Sequence, residues 1–410
     1  MSDILFLAHR VPFPLNRGDK IRSGNLLKKL ASLGPVHVGC FAETAEDRAA
    51  ASQIAAISAS HCVVNRNKPL ALAGAQAVLS GKPVSLTAFY SARLEDWVAR
   101  KLEHDAIDTI VVFSGQMGQY VPSGFQGRVI TDLCDVDSAK FEAYAADGER
   151  VWLNRREAFL LAREEERIAR RSDATLLISE AEAALLRSRL SAPHEARVMA
   201  MGNGIDGASF DPDVVTPHPD IAGSAGPHFI FTGQMDYRPN ETAVLWALEY
   251  FLPLARARYP DAQLHIVGRA PTAALQARAN APGVRIWGEV ADVKPFLAAA
   301  TCALVPLQIA RGVQNKVLEA MAMARPVLLT PGAATGIDAL DGKHWMVAPP
   351  NAQTMLDRFA HLISEPGAGE RMGRAARQFV LDHHDWDARL APLDALLGSK
   401  ARFGESRNAA

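Results

Sequence analysis

The sequence predicts an α/β protein built from two doubly wound domains. Three observations lead to this prediction: the length of 410 residues, the alternation of short apolar runs with helical patterns, and a turn-rich interruption near the middle of the chain. A single hydrophobic core rarely grows beyond about 250–300 residues, so this length fits two domains. Apolar runs that alternate with amphipathic stretches are typical of parallel sheets covered by helices.

The first half of the chain contains six apolar runs of strand length. The first run begins almost at the N-terminus and is followed by a loop to Gly18 and by a helical pattern through Leu26, Leu30 and Leu33. This order is the strand, loop and helix unit of a parallel sheet. The predicted strands cover residues 4–8, 36–41, 62–64, 109–113, 129–133 and 175–178.

A segment rich in Gly and Pro follows residue 202 and is predicted to be a linker. The alternation then resumes, with a helix predicted over residues 242–258 and strands over 229–232, 263–267, 284–287, 302–305 and 327–329. We therefore predict an N-terminal domain over 1–205, a second domain over 206–380, and a helical segment over 381–410 that packs back toward the first domain. Ligands of open α/β sheets bind at the carboxyl ends of the strands, so a central crevice between two such sheets is expected to hold the site.

Composition excludes several classes of protein. Hydrophobic residues make up 49% of the chain and the formal net charge is −1, which fits neither a disordered chain nor a general nucleic-acid binder. The four cysteines lack CxxC or zinc spacing, and neither a signal peptide nor a run of 18 apolar residues is found. A cytoplasmic protein is expected.

The stretch over residues 312–330 carries the most chemical information. It predicts a Gly-led loop that opens a short helix, and the start of such a helix offers backbone N–H groups and a positive dipole end to an anion. Lys316 and Glu319 lie three residues apart on one face of that helix. The Lys316 ammonium can bind a phosphate, and the Glu319 carboxylate can accept two hydrogen bonds from a ribose diol. This combination favours nucleotide binding. The alternative is a surface ion pair, a common and weak feature.

This stretch resembles the donor-site signature of the retaining GT-B glycosyltransferases of family 4. In that family two glutamates, eight residues apart, flank the loop and helix, and the second one holds the ribose. Glu319 matches the second glutamate, whereas the first falls at Arg311, where the chain departs from the pattern. Arg311 is expected to act instead as a second phosphate cation.

Other segments match the same family in the same order along the chain. They are Asn203-Gly204-Ile205-Asp206 followed by Phe210, then residues 231–240, 266–269 and 287–293, and finally Trp386. The resemblance implies a GT-B fold with two Rossmann-like domains, a nucleotide-sugar donor as substrate, and transfer with retention.

The whole chain further resembles the sugar transferases associated with exosortase (PEP-CTERM) and exopolysaccharide systems. The segments that carry this resemblance cover residues 8–22, 113–117, 135–138 and 312–316. It implies an envelope or exopolysaccharide acceptor, either a glycan or a lipid-linked one.

The resemblance also implies roles for individual residues. Gly18 is expected to let the backbone approach the donor, and the phosphate-binding Arg of the family falls at Gln234, so that Arg238 is the nearest cation. Lys316 and Arg238 are expected to stabilise the departing diphosphate. The predicted donor-binding residues are Gly18, Gly233, Gln234, Arg311, Gly312, Val313, Gln314, Asn315, Lys316 and Glu319.

Asp135 is the predicted acceptor-activating residue because it follows a strand whose carboxyl end faces the expected crevice. The alternative is helix capping by Asp135, Asp137 or Ser138. Asp-Xaa-Asp triplets occur three times, but none follows a strand of the second sheet, so neither a metal nor another cofactor is expected.

The N-terminal segment from Arg10 to Lys29 is rich in cations and holds the single acid Asp19. It is either a solvated helix face or a patch that contacts an anionic membrane, or the phosphate of a lipid-linked acceptor, at the inner face of the plasma membrane. Two rival functions stay open. One is a GT-B-fold sugar-nucleotide epimerase. The other is an inactive scaffold that binds nucleotide sugars, and the replacement of the family's first glutamate by Arg311 favours this scaffold. A nicotinamide dehydrogenase is disfavoured because no GxGxxG follows the first strand.

Overall fold

The computed structural model describes residues 3–15, 17–146, 148–308 and 313–398. The described chain forms two compact units. The first runs to Asn203 and is joined again by the chain from Leu390, and the second is Gly204–Arg389. Each unit carries one sheet whose described strand pairs are all parallel, which confirms the predicted fold class.

The sheet of the first unit has seven strands in the order β3-β2-β1-β4-β5-β6-β7. Phe6 on β1 pairs with Val38 on one side and Val111 on the other, so the strand order reverses between β1 and β4. The strands are β1 Asp3–Ala8, β2 Val36–Ala42, β3 Ser60–Asn65, β4 Ile107–Phe113, β5 Arg128–Cys134, β6 Ala174–Leu177 and β7 Val198–Ala200.

Helices cover this sheet, so its central strands are apolar on both faces, as parallel strands require. The helices are α1 Gly18–Leu33, α2 Ala45–Ala49, α3 Ala51–Ala55, α4 Leu70–Ser80, α5 Val84–Ala88, α6 Ala92–His104, α7 Asp137–Ala146, α8 Val151–Arg171 and α9 Glu180–Arg189. Two 3-10 helices, Gly115–Tyr120 and Pro193–Glu195, complete the unit.

The sheet of the second unit has six strands in the order β10-β9-β8-β11-β12-β13, and its strand order reverses between β8 and β11. Phe229 on β8 anchors the core, with its ring centroid 4.9 Å from that of Phe251 and 4.6 Å from that of Phe359. The strands are β8 His228–Thr232, β9 Gln263–Val267, β10 Val284–Gly288, β11 Cys302–Val305, β12 Val327–Leu329 and β13 Met346–Val347.

The predicted helix over residues 242–258 is two helices joined by a π-helical turn, Ala247–Phe251. Pro253 explains the interruption, because proline has no N–H to donate and its ring crowds the carbonyl four residues earlier. The helices of this unit are α10 Pro219–Ala222, α11 Arg238–Trp246, α12 Leu252–Arg258, α13 Ala273–Gln276, α14 Lys294–Ala299, α15 Asn315–Ala322, α16 Ala352–Ser364, α17 Ala368–His384 and α18 Trp386–Leu390.

The last described helix, α19 Pro392–Gly398, belongs to the first unit. Leu393 and Leu396 are buried, and Arg128 donates to the Leu397 carbonyl over 2.5 Å. Among the described residues, no helix is both long enough and apolar enough to cross a bilayer.

Candidate functional site

The loops after β8 and β9 meet at the point where the strand order of the second sheet reverses. Gly233 and Gly268 have φ angles of 150° and 149°, which favour glycine. A Cβ on Gly268 would lie 1.6 Å from the Gly233 carbonyl oxygen. Gly268 is therefore required for the two backbones to pass this close, whereas a Cβ on Gly233 would instead crowd Asn240 Nδ2 at 2.9 Å.

Lys316, on the first turn of α15, reaches this glycine loop. Its Nζ donates to Asn240 Oδ1 over 2.5 Å and lies 4.7 Å from the centroid of the Phe231 ring. Asn240 in turn donates from Nδ2 to the Gln234 carbonyl over 2.8 Å. The structure thus brings together three of the predicted residues, Gly233, Gln234 and Lys316, and Asn240 links them.

Glu319 lies one turn further along α15 and is partly buried. Burial raises the pKa of its carboxyl, and the charges of Lys316 and Lys294 oppose this. Burial also lowers the pKa of Lys316 to about 8, against the effect of Glu319. Among the described residues, no donor hydrogen-bonds the Glu319 carboxylate, so its oxygens are available to a ligand's hydroxyl groups.

The start of α15 holds the remaining predicted donor-binding residues. Gln314 occupies the N-cap position but makes no side-chain cap, and Asn315 is exposed. Val313 precedes them and is partly buried. Arg311 and Gly312 lie outside the described residues, so their predicted roles stay predictions.

Gln234 occupies the position of the phosphate-binding arginine in the family 4 glycosyltransferases that the sequence resembles. A different arginine contacts the Gln234 side chain. Arg269, which follows β9, donates to Gln234 Oε1 over 2.6 Å. Arg238 begins α11, is exposed, and has no side-chain partner within the described part of the chain. The structure therefore brings Arg269 to the glycine loop and does not show Arg238 there.

Sequence reasoning missed Arg269 and Asn240 as site residues. Both lie within segments that resemble the family, and Arg269 follows Gly268 directly at the carboxyl end of a strand. The position of Arg269 at the carboxyl end of a strand could have identified it as a site residue, because ligands of open α/β sheets bind there. No residue pattern pointed to it.

In the first unit, Asp135 follows β5 and is exposed. Although the residue as a whole is exposed, desolvation of its carboxyl by the surrounding protein raises the pKa of that group, and the nearby Glu182 and Asp137 raise it further. Other carboxylates bind amides at the start of α7: Val136 N, just before the helix, donates to Glu182 over 2.8 Å, and Ser138 N donates to Glu165 over 2.9 Å. Capping by Asp135, Asp137 or Ser138 is not seen in the described residues, which leaves the Asp135 carboxylate without a hydrogen-bond donor there.

Gly18 is the first residue of α1, and a Cβ built on it would meet no atom within 4 Å. Packing within the described residues therefore does not require a glycine here. The expected approach of a ligand to this backbone stays a prediction.

The loop after β1 also places His9 at the reversal point of the first sheet. Its ring stacks on Phe113 with centroids 5.7 Å apart, and its Nε2 lies 3.4 Å from Asp19. Although burial alone would raise it, the pKa of Asp19 is held well below its usual range by the hydrogen bonds with His9 and Arg10. His9 Nδ1 is buried without a partner in the described residues.

The predicted cationic segment from Arg10 to Lys29 is a surface feature only in part. Lys20 is buried against Asp47 at 2.5 Å, and Arg22 is 2% exposed and bonds Asp132 at 2.8 Å. The same Arg22 also donates to Asn203 and to the Met201 carbonyl. Asp47 and Asp132, distant in the sequence, neutralise Lys20 and Arg22, which therefore join elements of the first unit. Arg17 and Lys28 are exposed, and contact of the segment with a membrane stays a prediction.

One group of possible metal ligands occurs among the described residues: Asp3, His37 and Asp105. His37 Nε2 bonds Asp3 at 3.0 Å, and Asp105 pairs with Lys101 at 3.1 Å. These polar atoms already have protein partners. The group lies at the amino ends of β1 and β2, away from the loops described above.

The second unit matches a protein family. The family described as Glycosyl transferases group 1 matches residues 226–365, a range that includes Gly233, Lys316 and Glu319. No curated protein matches the chain.

Solved structures similar to the chain extend over almost its whole length. HepE of Anabaena in complex with UDP has 14% identity and a TM-score of 0.66, and covers 97% of this chain and 99% of its own. WaaG, a glycosyltransferase involved in lipopolysaccharide biosynthesis, has 18% identity and a TM-score of 0.62 over 97% and 100%. Sucrose-phosphate synthase from Thermosynechococcus elongatus has 16% identity and a TM-score of 0.62 over 97% and 98%.

At these identities the structures establish the shared GT-B fold. Together with the family match, they support a transferase enzyme of the glycosyltransferase class.

Proposed function

We propose that the chain is a retaining glycosyltransferase that moves a sugar from a nucleotide-sugar donor to an envelope or exopolysaccharide acceptor, either a glycan or a lipid-linked one. The observation that carries the proposal is the pairing of Lys316 and Glu319 on α15 beside the Gly233 loop. HepE structures hold UDP and UDP-glucose, and WaaG is involved in lipopolysaccharide biosynthesis, which supports the donor and acceptor classes. The free cysteines fit a cytoplasmic enzyme.

The donor's diphosphate is the leaving group, and negative charge develops on it as the bond to the anomeric carbon breaks. Lys316 and the amino end of α15 oppose that charge, with Arg269 as a further cation at the same loop. Glu319 accepts hydrogen bonds from the ribose hydroxyl groups. A partly buried carboxylate gains more from such bonds than an exposed one, because water competes less.

The acceptor's hydroxyl oxygen forms the new bond to the anomeric carbon, and its proton leaves to a base. We assign that base to Asp135, whose carboxylate has no donor among the described residues and whose raised pKa brings it closer to neutral pH. Retention is proposed from the family resemblance and is tested by the anomeric configuration of the product.

We further propose that transfer needs no divalent metal, because we assign the neutralisation of the diphosphate to Lys316 and Arg269 at the Gly233 loop. Activity should therefore survive EDTA. Loss on chelation that magnesium or manganese restores would contradict this part of the proposal.

The proposal is tested first by binding. Calorimetry and thermal shifts with UDP, GDP, ADP and their sugars should identify one nucleotide class that stabilises the protein. Glu319→Gln should then weaken binding by about 10- to 150-fold, the effect of a lost hydrogen bond to a charged group. The matched control is Glu370→Gln, an exposed acid of the same unit. Equal affinity in both variants would remove Glu319 from the site.

Turnover then separates the proposed function from its rivals. Transfer of the sugar to an acceptor supports the transferase. Isomerisation of the donor without an acceptor would support an epimerase, and binding without turnover would support a scaffold.

A further inference from the structure

Helix α4 buries its small side chains and exposes its large ones. Ala73 and Ala77 are fully buried, whereas Leu72 is 50% exposed and Leu79 is 88% exposed. Leu70 and Val78 are exposed as well. A helix on the surface of a soluble protein normally turns its apolar side chains toward the core. The reversed arrangement indicates that something else covers α4.

Three of the exposed residues of α4 lie on one face. Leu72, Ala75 and Leu79 follow the spacing i, i+3, i+7, opposite the buried pair Ala73 and Ala77. The helix from Leu70 to Ser80 contains no charged residue. The exposed side of α4 is therefore uncharged and mostly apolar, with Gln76 and Ser80 as its polar members.

Helix α8 lies beside the end of α4 and also exposes large apolar side chains. Trp152 is 71% exposed and Phe159 is 63% exposed, and they share one helix face with Arg156 and Arg163. Arg156 joins the two helices, because it donates to the carbonyl of Ala77 at the end of α4 over 2.8 Å. The exposed large apolar side chains of the two helices are called the apolar face below: Leu70, Leu72, Val78, Leu79, Trp152 and Phe159.

Cations border the apolar face. The guanidinium of Arg163 lies 5.8 Å from the centroid of the Phe159 ring, and Arg155 and Lys82 are exposed. A cavity of about 680 Å³ lies between the end of α4 and α8. Its charged lining residues are the cations Lys82, Arg163, Arg167 and Arg171 and the single acid Glu164.

We propose that the apolar face and its cations dock on an anionic lipid bilayer. Leucine and tryptophan side chains bordered by arginine and lysine match an interface where apolar groups enter the acyl region and cations meet lipid phosphates. A second copy of the chain fits less well, since a two-fold contact would set the bordering cations against each other. The inference does not depend on the proposed function.

Vesicle co-sedimentation tests the proposal. The full chain should bind vesicles of phosphatidylglycerol and phosphatidylcholine at low salt, and binding should fall as salt rises or when phosphatidylglycerol is omitted. The double variant Leu72→Ser/Leu79→Ser and the double variant Arg155→Glu/Arg163→Glu should each weaken binding by about tenfold or more. All four side chains are exposed, so both variants are expected to fold.

Matched controls are Leu340→Ser and Arg374→Glu, exposed residues of the second unit. They should leave vesicle binding unchanged, and all variants should keep wild-type affinity for the nucleotide sugar. Failure of the wild-type chain to bind anionic vesicles, or unchanged binding in both double variants, would overturn the proposal. A dimer in sedimentation velocity that dissociates in the leucine variant would assign the apolar face to a second copy and also overturn it.

Discussion

Lys316 carries its charge where solvation is poor, and that position connects stability with ligand binding. Its pKa of about 8 in the folded chain lies below the usual lysine value, because burial disfavours the ammonium form. Between that pKa and the unfolded value the unfolded chain binds more protons, so this residue makes stability rise with pH in that window. Near neutral pH the protonated form destabilises the unliganded protein and is available to an anionic ligand.

The first prediction is a pH dependence of donor binding. Nucleotide-sugar affinity should be constant below about pH 8 and should fall up to about tenfold per pH unit above it, as Lys316 loses its proton. Calorimetry across pH 6.5 to 10 measures this. Lys316→Arg should flatten the profile, whereas Lys343→Arg, at an exposed residue, should not. A wild-type profile that stays flat to pH 10 would contradict the prediction.

The second prediction concerns Asp135. Asp135→Asn should reduce sugar transfer by about 10²- to 10⁴-fold, the range for a general base, with donor affinity unchanged. The melting temperature should not fall, because no described group donates to the carboxylate, and it should rise slightly, because burial and the nearby Glu182 and Asp137 disfavour the charged form. Asp96→Asn, at an exposed position of α6, is the control. Transfer at the wild-type rate would contradict the catalytic role of Asp135. His9 and the loop of Ser114 and Gln116 would then be the next candidates for the base.

Sequence reasoning worked for residues whose partners are local and failed for residues whose partners are distant. Lys316 and Glu319 share a helix turn, so their spacing alone predicted a common face, which the structure confirms. Lys20 and Arg22 were taken for a surface patch because their acids, Asp47 and Asp132, lie far along the chain. The orientation of Arg269 toward Gln234 likewise depends on two different strands meeting.

At the scale of elements, the crossing of the loops after β8 and β9 is the tightest requirement on the second unit. The Gly233 carbonyl occupies the space that a side chain at residue 268 would need. Backbone atoms cannot move aside as a flexible side chain can. The loop that carries Gly233 and Gln234 is therefore held rigidly before any ligand arrives.

The third prediction follows from this crossing. Gly268→Ala should destabilise the protein by more than about 2 kcal/mol, from overpacking and from the strained φ angle together. Gly369→Ala is the control, because its added Cβ would sit 3.7 Å from Pro326, an ordinary contact within a helix. Urea unfolding of both variants gives the comparison. Equal stability of the two would mean that the crossing relaxes easily.

Elements were predicted well where an apolar run was long enough to recognise. All eleven predicted strands are present. Strand β7 was missed because only the first of its three residues is fully buried, unlike β12 of the same length, and β13 has only two residues. The π-helical turn was missed because hydrophobic periodicity does not report a local change of helix pitch.

At the scale of the whole molecule, the first unit contains a helix that follows the second unit in the sequence. Helix α19 returns to that unit and buries Leu393 and Leu396 there, after the entire second unit has been formed from the intervening chain. The ion pair of Lys29 with Asp394, at 2.8 Å, lies at the surface of the same contact.

The fourth prediction separates these two contributions. Leu393→Ala should destabilise the protein by about 2–5 kcal/mol, as for other fully buried leucines. Asp394→Asn should cost less than about 1 kcal/mol, because exposed ion pairs contribute little. Thermal unfolding measures both, and an equal loss in the two variants would show that α19 is held by charge instead of by burial.

The return of the chain through α19 bears on how the protein is made. Ribosomes deliver residues from the N-terminus onward, so the strands of the first unit emerge early but wait for α19 until the second unit has been translated. At roughly 5–20 residues per second that delay is on the order of ten to forty seconds. During it, the surface that receives Leu393 and Leu396 is open, and the nascent chain is expected to be a substrate for chaperones at that stage.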